Sequence, residues 1–240
     1  MKTKVIFSDT HLCDNSKAND FHHPELLLRF LNHFSKIDCD VIAAGDIFDI
    51  LQTTLARILY YNTAIIKKMR FMKNFYFLKG NHDFPLGKYF PSVYMADGVH
   101  IEHGHRFDMY NATPSHIGSA VAKTVGWFER LLHQDSDEWL SKIAEIKGKI
   151  TPASENYPGS FTEYRDGARE ILKNPAVDVC VMGHTHRPGI WQLENGIYVN
   201  SGCWTGEEDP TYVMVTENTV QLYNAVTGEL LAETDRMGVR

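Results

Sequence analysis

The sequence predicts an α/β (α+β) protein in which two sheets pack as a sandwich flanked by helices. Three observations carry this expectation. Strand-like and helix-like segments alternate through residues 5–78, short extended runs separated by Gly, Asn and Pro fill residues 177–223, and a more helical stretch lies between them. The 240 residues, 43% hydrophobic and 22% charged, fit one domain spanning 1–240, with a helical cap inserted at about 112–175.

Val5-Ile6-Phe7 is short, apolar and β-branched at two positions, which suits a buried first strand. The helix expected over 24–37 has Leu27, Phe30, Leu31, Phe34 and Ile37 at three- and four-residue steps, so one face is apolar, and Pro24 suits its first turn. Val41 to Ala44 reads as a strand, Thr54 to Met69 as a helix and Phe75 to Leu78 as a strand. Val99 to Glu102 adds another extended run. Near the end, Val177 to Met182, Ile190 to Leu193, Ile197 to Asn200, Tyr212 to Thr216 and Val220 to Tyr223 read as sheet strands joined by turns.

Within the cap, Ile117, Val121, Val125, Phe128 and Leu132 form an apolar stripe, and Trp139, Leu140, Ile143 and Ile146 form a second, shorter one. Ser160 followed by Glu163 has capping-box spacing before a third helix with Tyr164, Ala168, Ile171 and Leu172. The stripes serve either packing against the core or a groove that faces substrate.

The net charge of −6 disfavours broad nucleic-acid binding, which needs a basic surface to displace counterions. Cys13, Cys39, Cys180 and Cys203 lack CxxC spacing, so reduced thiols in a cytoplasmic protein are expected. Three apolar residues after Met1-Lys2-Thr3-Lys4 are too few for a signal-peptide core, and no run reaches the ~18 apolar residues of a membrane span. Contact with a membrane surface stays open.

Chemistry-bearing residues follow strand after strand. Asp9-Thr10-His11 comes after the first; in extended backbone, alternate side chains point the same way and could share a cation. Gly45-Asp46-Ile47-Phe48-Asp49 follows the second, with Asp46 able to reach the same cluster and Asp49 read as supporting it. Gly80-Asn81-His82-Asp83 follows the third: Asn81 offers a hard oxygen, His82 a proton-transfer group, and Asp83 a carboxylate to orient that imidazole. His103-Gly104-His105 and Gly183-His184-Thr185-His186 complete the set, with His105 the less clearly assigned member. Each cluster alone reads equally as a turn. Five in succession at strand ends point to a site for divalent ions, since mixed Asp, Asn and His donors suit borderline-to-hard metals.

This ordered set resembles the calcineurin-like metallophosphoesterase superfamily over most of the chain. The resemblance implies a four-layer αββα sandwich and a dinuclear site, with Asp9, His11 and His186 on one ion, Asn81, His103 and His184 on the other, and Asp46 bridging. Manganese is the first choice, with iron, zinc or magnesium as alternatives. Two ions about 3.5–4 Å apart polarise phosphoryl oxygens and make hydroxide available near neutral pH. His82 matches the family's catalytic histidine, with Asp83 beside it.

The helical insertion, Gly183-His184-Thr185-His186-Arg187-Pro188 and Asn200-Ser201-Gly202-Cys203-Trp204 look like the UDP-2,3-diacylglucosamine hydrolase group, which cuts a lipid-linked pyrophosphate. That likeness implies a nucleotide-linked lipid substrate and work at the inner membrane face. His82, His105 and Cys203 depart from the group, which has Arg, Asp and Asp there. Alternatives are a non-catalytic metal-binding scaffold of the same fold and a nucleotide phosphodiesterase or nuclease.

Overall fold

The computed structural model describes residues 1–14, 16, 19–107, 161–206 and 208–236. The expected stripes at 117–132 and 139–146, and Ser160 of the capping box, lie outside them.

Eleven strands form two mixed sheets among the described residues. In the first, β1 (Lys4–Phe7), β2 (Asp40–Ala44) and β3 (Phe75–Leu78) run parallel. The antiparallel strands β9 (Thr211–Val215), β10 (Thr219–Asn224) and β11 (Leu230–Asp235) extend it, giving the order β11-β10-β9-β1-β2-β3. The second sheet has the order β4-β5-β6-β8-β7. Its parallel centre is β5 (Val99–Glu102), β6 (Val179–Met182) and β8 (Gly196–Asn200), edged by the antiparallel strands β4 (Val93–Ala96) and β7 (Gly189–Leu193).

Alternation along the central strands builds two cores at once. Ile6 and Ile42 point between the sheets, where they meet Ile101, Val181, Val199 and Val213. Val5, Phe7, Val41 and Ala43 point outward and are covered by α1 (Pro24–Phe34), α2 (Leu55–Tyr61) and α3 (Thr63–Phe71). Leu27, Phe30, Leu31 and Phe34 of α1 are all buried, and Pro24 opens the helix. Ile37 lies beyond the last turn and is 46% exposed, contrary to its place in the expected apolar face.

The single helix expected over 54–69 is two, because Asn62 turns out of helical geometry. Its amide donates to the Cys13 carbonyl at 2.7 Å and also reaches the Ile58 carbonyl. On the far side, α4 (Phe161–Leu172) packs Tyr164, Ala168 and Leu172 onto Cys180, Met182 and Tyr198. The layers are therefore helix, sheet, sheet, helix, and α4, within the stretch assigned to the cap, forms the fourth layer. Strands β4 and β11 have no counterpart in the sequence reading; both are edge strands with much exposed surface, so neither carries a continuous apolar run.

Candidate metal centre

All five motifs meet at the C-terminal ends of β1, β2, β3, β5 and β6. This is where a parallel sheet places loops from neighbouring strands side by side. The backbone ties those loops together: Asp9 N donates to the Gly45 carbonyl, His11 N to that of Asp46 and Leu12 N to that of Ile47.

Asp9, His11, Asp46, His184 and His186 all have positive φ, between 45° and 67°. This is costly for residues other than Gly and occurs where surrounding structure enforces it, often at functional sites. The expected extended pairing of Asp9 with His11, and of His184 with His186, is therefore corrected. These residues lie past the strand ends, and left-handed turns rather than strand alternation aim them inward.

Three groups of donor atoms lie within 4.8 Å of one another: Asp9, His11 and His186; Asp46, His103 and His184; and His11, Asp49 and His82. The first two contain the ligand sets implied by the resemblance, apart from Asn81. That residue's Oδ1 stands 3.2 Å from His103 Nε2. His103 Nε2 is also 3.1 Å from Asp46 Oδ2 and 3.2 Å from His184 Nδ1. Its Nδ1 donates to the Ala44 carbonyl at 3.0 Å, which fixes the tautomer that leaves Nε2 facing the cluster. His186 Nε2 lies 3.2 Å from Asp9 Oδ1.

The donor set fits divalent ions. His11 Nε2 is buried and makes no hydrogen bond among the described residues, while Asp46 Oδ2 and Asp9 Oδ1 stand 3.7 and 3.9 Å away. Donors sharing an ion at about 2.0–2.2 Å have such spacings. Burial opposes ionisation of Asp9, yet the charges of His103 and His186 hold its carboxyl below the usual range. Asp46 is likewise lowered against burial, chiefly by His103. In return, despite burial, His103 rises to about 9 beside Asp46 and Asp9, and His186 to about 11 beside Asp9. The buried carboxylates demand positive charge here, whether imidazolium or a bound cation supplies it.

The partner expected for His82 changes. Asp83 is fully buried, and its carboxylate accepts backbone N–H bonds from Ile47 at 3.1 Å, Phe48 at 2.8 Å and Gly80 at 3.3 Å. It pins the β2 and β3 loops together instead of orienting the imidazole. Asp49 does that: its Oδ1 lies 3.1 Å from His82 Nδ1, and its Oδ2 lies 3.7 Å from His11 Nδ1. Burial works against a charged His82, but Asp49 and Asp46 bring it up to about 8. His82 N also donates to Asp46 Oδ1 at 2.8 Å.

His105 stands behind His103 and His184, at ring-centroid distances of 5.5 and 6.3 Å; burial and the charge of His103 push it down to about 4. Two supports escaped the sequence reading. Ser8 donates to Asp9 Oδ2 and shares a hydrogen bond with Ser201 at 2.8 Å. Asn200 donates to the Gly183 carbonyl at 2.7 Å and accepts from Gly202 N, fixing the loop that carries His184. Serine and asparagine at strand ends are too common to signal these roles. All four cysteines are buried.

A helix-flanked double sheet with Asp, Asn and His donors gathered at its strand ends has the architecture of a metal-dependent phosphoesterase. The chain belongs to the calcineurin-like phosphoesterase family, whose sequence profile spans residues 3–188. It is similar to the UDP-2,3-diacylglucosamine hydrolases of Shewanella piezotolerans and Shewanella pealeana, at 24% and 25% identity over 168 residues, covering 64% of this chain and 70% of each relative. The fold matches a dimetal phosphatase from Danio rerio (TM-score 0.57, 10% identity, 98% of both chains). It also matches zinc-complexed Vps29 from Entamoeba histolytica (TM-score 0.52, 13% identity, 98% of this chain and 99% of that one). Among the described residues, no helix is long and apolar enough to cross a membrane.

Proposed function

We propose that the chain is a dinuclear metal-dependent phosphoesterase that hydrolyses a phosphodiester or pyrophosphate bond in a nucleotide-linked lipid of the UDP-2,3-diacylglucosamine type. The observation that carries the reading is the convergence of Asp9, His11, Asp46, Asn81, His103, His184 and His186 beside a His82–Asp49 pair. In this reading Asp9, His11 and His186 hold one ion, Asn81, His103 and His184 the other, and Asp46 both. When bound, the divalent pair supplies charge neutralisation at the phosphoryl group and an activated water; manganese is the first candidate.

The chain's own residues do the rest. Asp49 holds His82 Nδ1, so Nε2 is the atom that hands a proton to the leaving oxygen as its bond to phosphorus breaks. Asp83 and Asn200 keep the loops in register, so that neither His82 nor His184 must be ordered during the reaction. The enzyme works from the cytoplasm at the inner membrane face. The weak identity to the Shewanella hydrolases supports the substrate class. A scaffold of the same fold would have no use for an imidazole held by Asp49 beside the ligands.

The test is UMP release from UDP-2,3-diacylglucosamine in the presence of manganese, with bis(p-nitrophenyl) phosphate in parallel. Release of UMP supports the full reading. Cleavage of the chromogenic diester alone keeps the phosphoesterase and rejects the lipid-linked substrate, and cleavage of neither favours the scaffold.

A further inference from the structure

The chain carries a net charge of −6, yet no acidic residue occurs between Asp49 and Asp83, where Arg57, Lys67, Lys68, Arg70, Lys73 and Lys79 all lie. About half of this stretch is α2 and α3, the outer layer of the first sheet. Helix α3 buries Ile65 and Met69, which leaves Lys67, Arg70 and Phe71 exposed. Apolar side chains stand among the cations: Tyr60 and Phe71 are each 76% exposed, and Leu59 and Tyr61 are exposed as well. Two guanidinium groups lie near these rings, Arg57 5.7 Å from Tyr61 and Arg70 5.7 Å from Phe71.

We propose that this face of α2 and α3 docks the protein on an anionic lipid bilayer. Cations alone would suit any polyanion. Exposed tyrosine, phenylalanine and leucine among them suit the interfacial zone of a bilayer, where aromatic rings sit at headgroup level while Lys and Arg meet anionic headgroups. The acidic remainder of the chain would be repelled by the same surface, so the charge also sets orientation.

The face is coupled to the metal centre by position. Arg57 Nε donates to Asp14 at 2.7 Å and Asn62 donates to the Cys13 carbonyl at 2.7 Å, both on the segment leaving His11. The α2 end of the docked face is therefore tied by hydrogen bonds to the segment that leaves His11. The inference deepens the lipid-linked reading and rests on it for the need to reach a bilayer.

Vesicle flotation of the full chain tests it, with phosphatidylcholine vesicles and with vesicles in which about a third of the lipid is phosphatidylglycerol. The expected result is binding to the anionic vesicles only, weakened by high salt. The double variant Lys67→Glu/Arg70→Glu should bind at least about tenfold more weakly. Tyr60→Ser/Phe71→Ser, which leaves charge untouched, should also weaken binding. Thermal unfolding checks that each variant folds. Equal binding by wild type and the charge-reversed variant, no binding to anionic vesicles, or binding to an oligonucleotide in place of vesicles would each overturn the proposal. Flotation needs no turnover, so its failure is separable from failure of the hydrolysis assays.

Discussion

His82 Nδ1 lies 3.1 Å from Asp49 Oδ1, while Asp83, its sequence neighbour, is turned away to accept three backbone N–H bonds. Asp49 should therefore govern the imidazole proposed as proton donor. We predict that His82→Ala lowers kcat on a phosphodiester by about 10²–10⁴-fold with metal content retained. The Asp49 carboxylate raises the imidazole's pKa, and a proton donor loses function as pH rises through that pKa. Asp49→Asn should thus move the alkaline limb of the kcat profile to lower pH, which steady-state rates across pH would reveal. An unmoved limb would assign the titration to another group.

Asp46 is held from behind by a glycine. A Cβ at position 80 would fall on the Asp46 carboxylate oxygen and backbone nitrogen, so Gly80→Ala must displace the central carboxylate. Metal affinity is expected to fall about 10–100-fold, as for other changes that misplace a ligand. Calorimetric titration with Mn²⁺ measures it, and wild-type affinity in this variant would show that Asp46 is not a ligand.

Asp14 offers a pH prediction. Burial raises its pKa, but hydrogen bonds from Ser16, Thr53 and Arg57 outweigh burial and hold the carboxyl below the usual range. A depressed folded pKa contributes stability above the unfolded value of about 3.9, and this is lost as pH falls through the folded one. Asp14→Asn should cost about 1–3 kcal/mol at pH 7, with the difference narrowing in acid. Urea unfolding at pH 7 and pH 3 tests this; a pH-independent difference would contradict it.

What the sequence made legible follows from how local each signal is. Apolar spacing located α1 and the central strands because Leu27, Leu31, Val5 and Ile42 are buried by the same periodicity that places them. Edge strands β4 and β11, half exposed, carry no such pattern. The break at Asn62 depends on a bond to Cys13, 49 residues away in sequence, which no local propensity encodes. At the metal centre, residue types and order sufficed to nominate the residues that gather there. The geometry did not follow, because Asp9, His11, His184 and His186 are aimed by left-handed turns that the strand ends impose. The choice of Asp49 over Asp83 needed two loops in three dimensions.

The gathered donors are expected to bind divalent ions, and the bound ions to drive phosphoester hydrolysis. The most direct measurement adds Mn²⁺ back to chelator-stripped protein while following bound metal and bis(p-nitrophenyl) phosphate cleavage on the same sample, for wild type and Asp46→Ala. The expected result is two ions per wild-type chain, cleavage that rises with their binding, and loss of both in the variant. Wild-type protein that takes up no metal, or that cleaves the diester equally well without it, would contradict the claim.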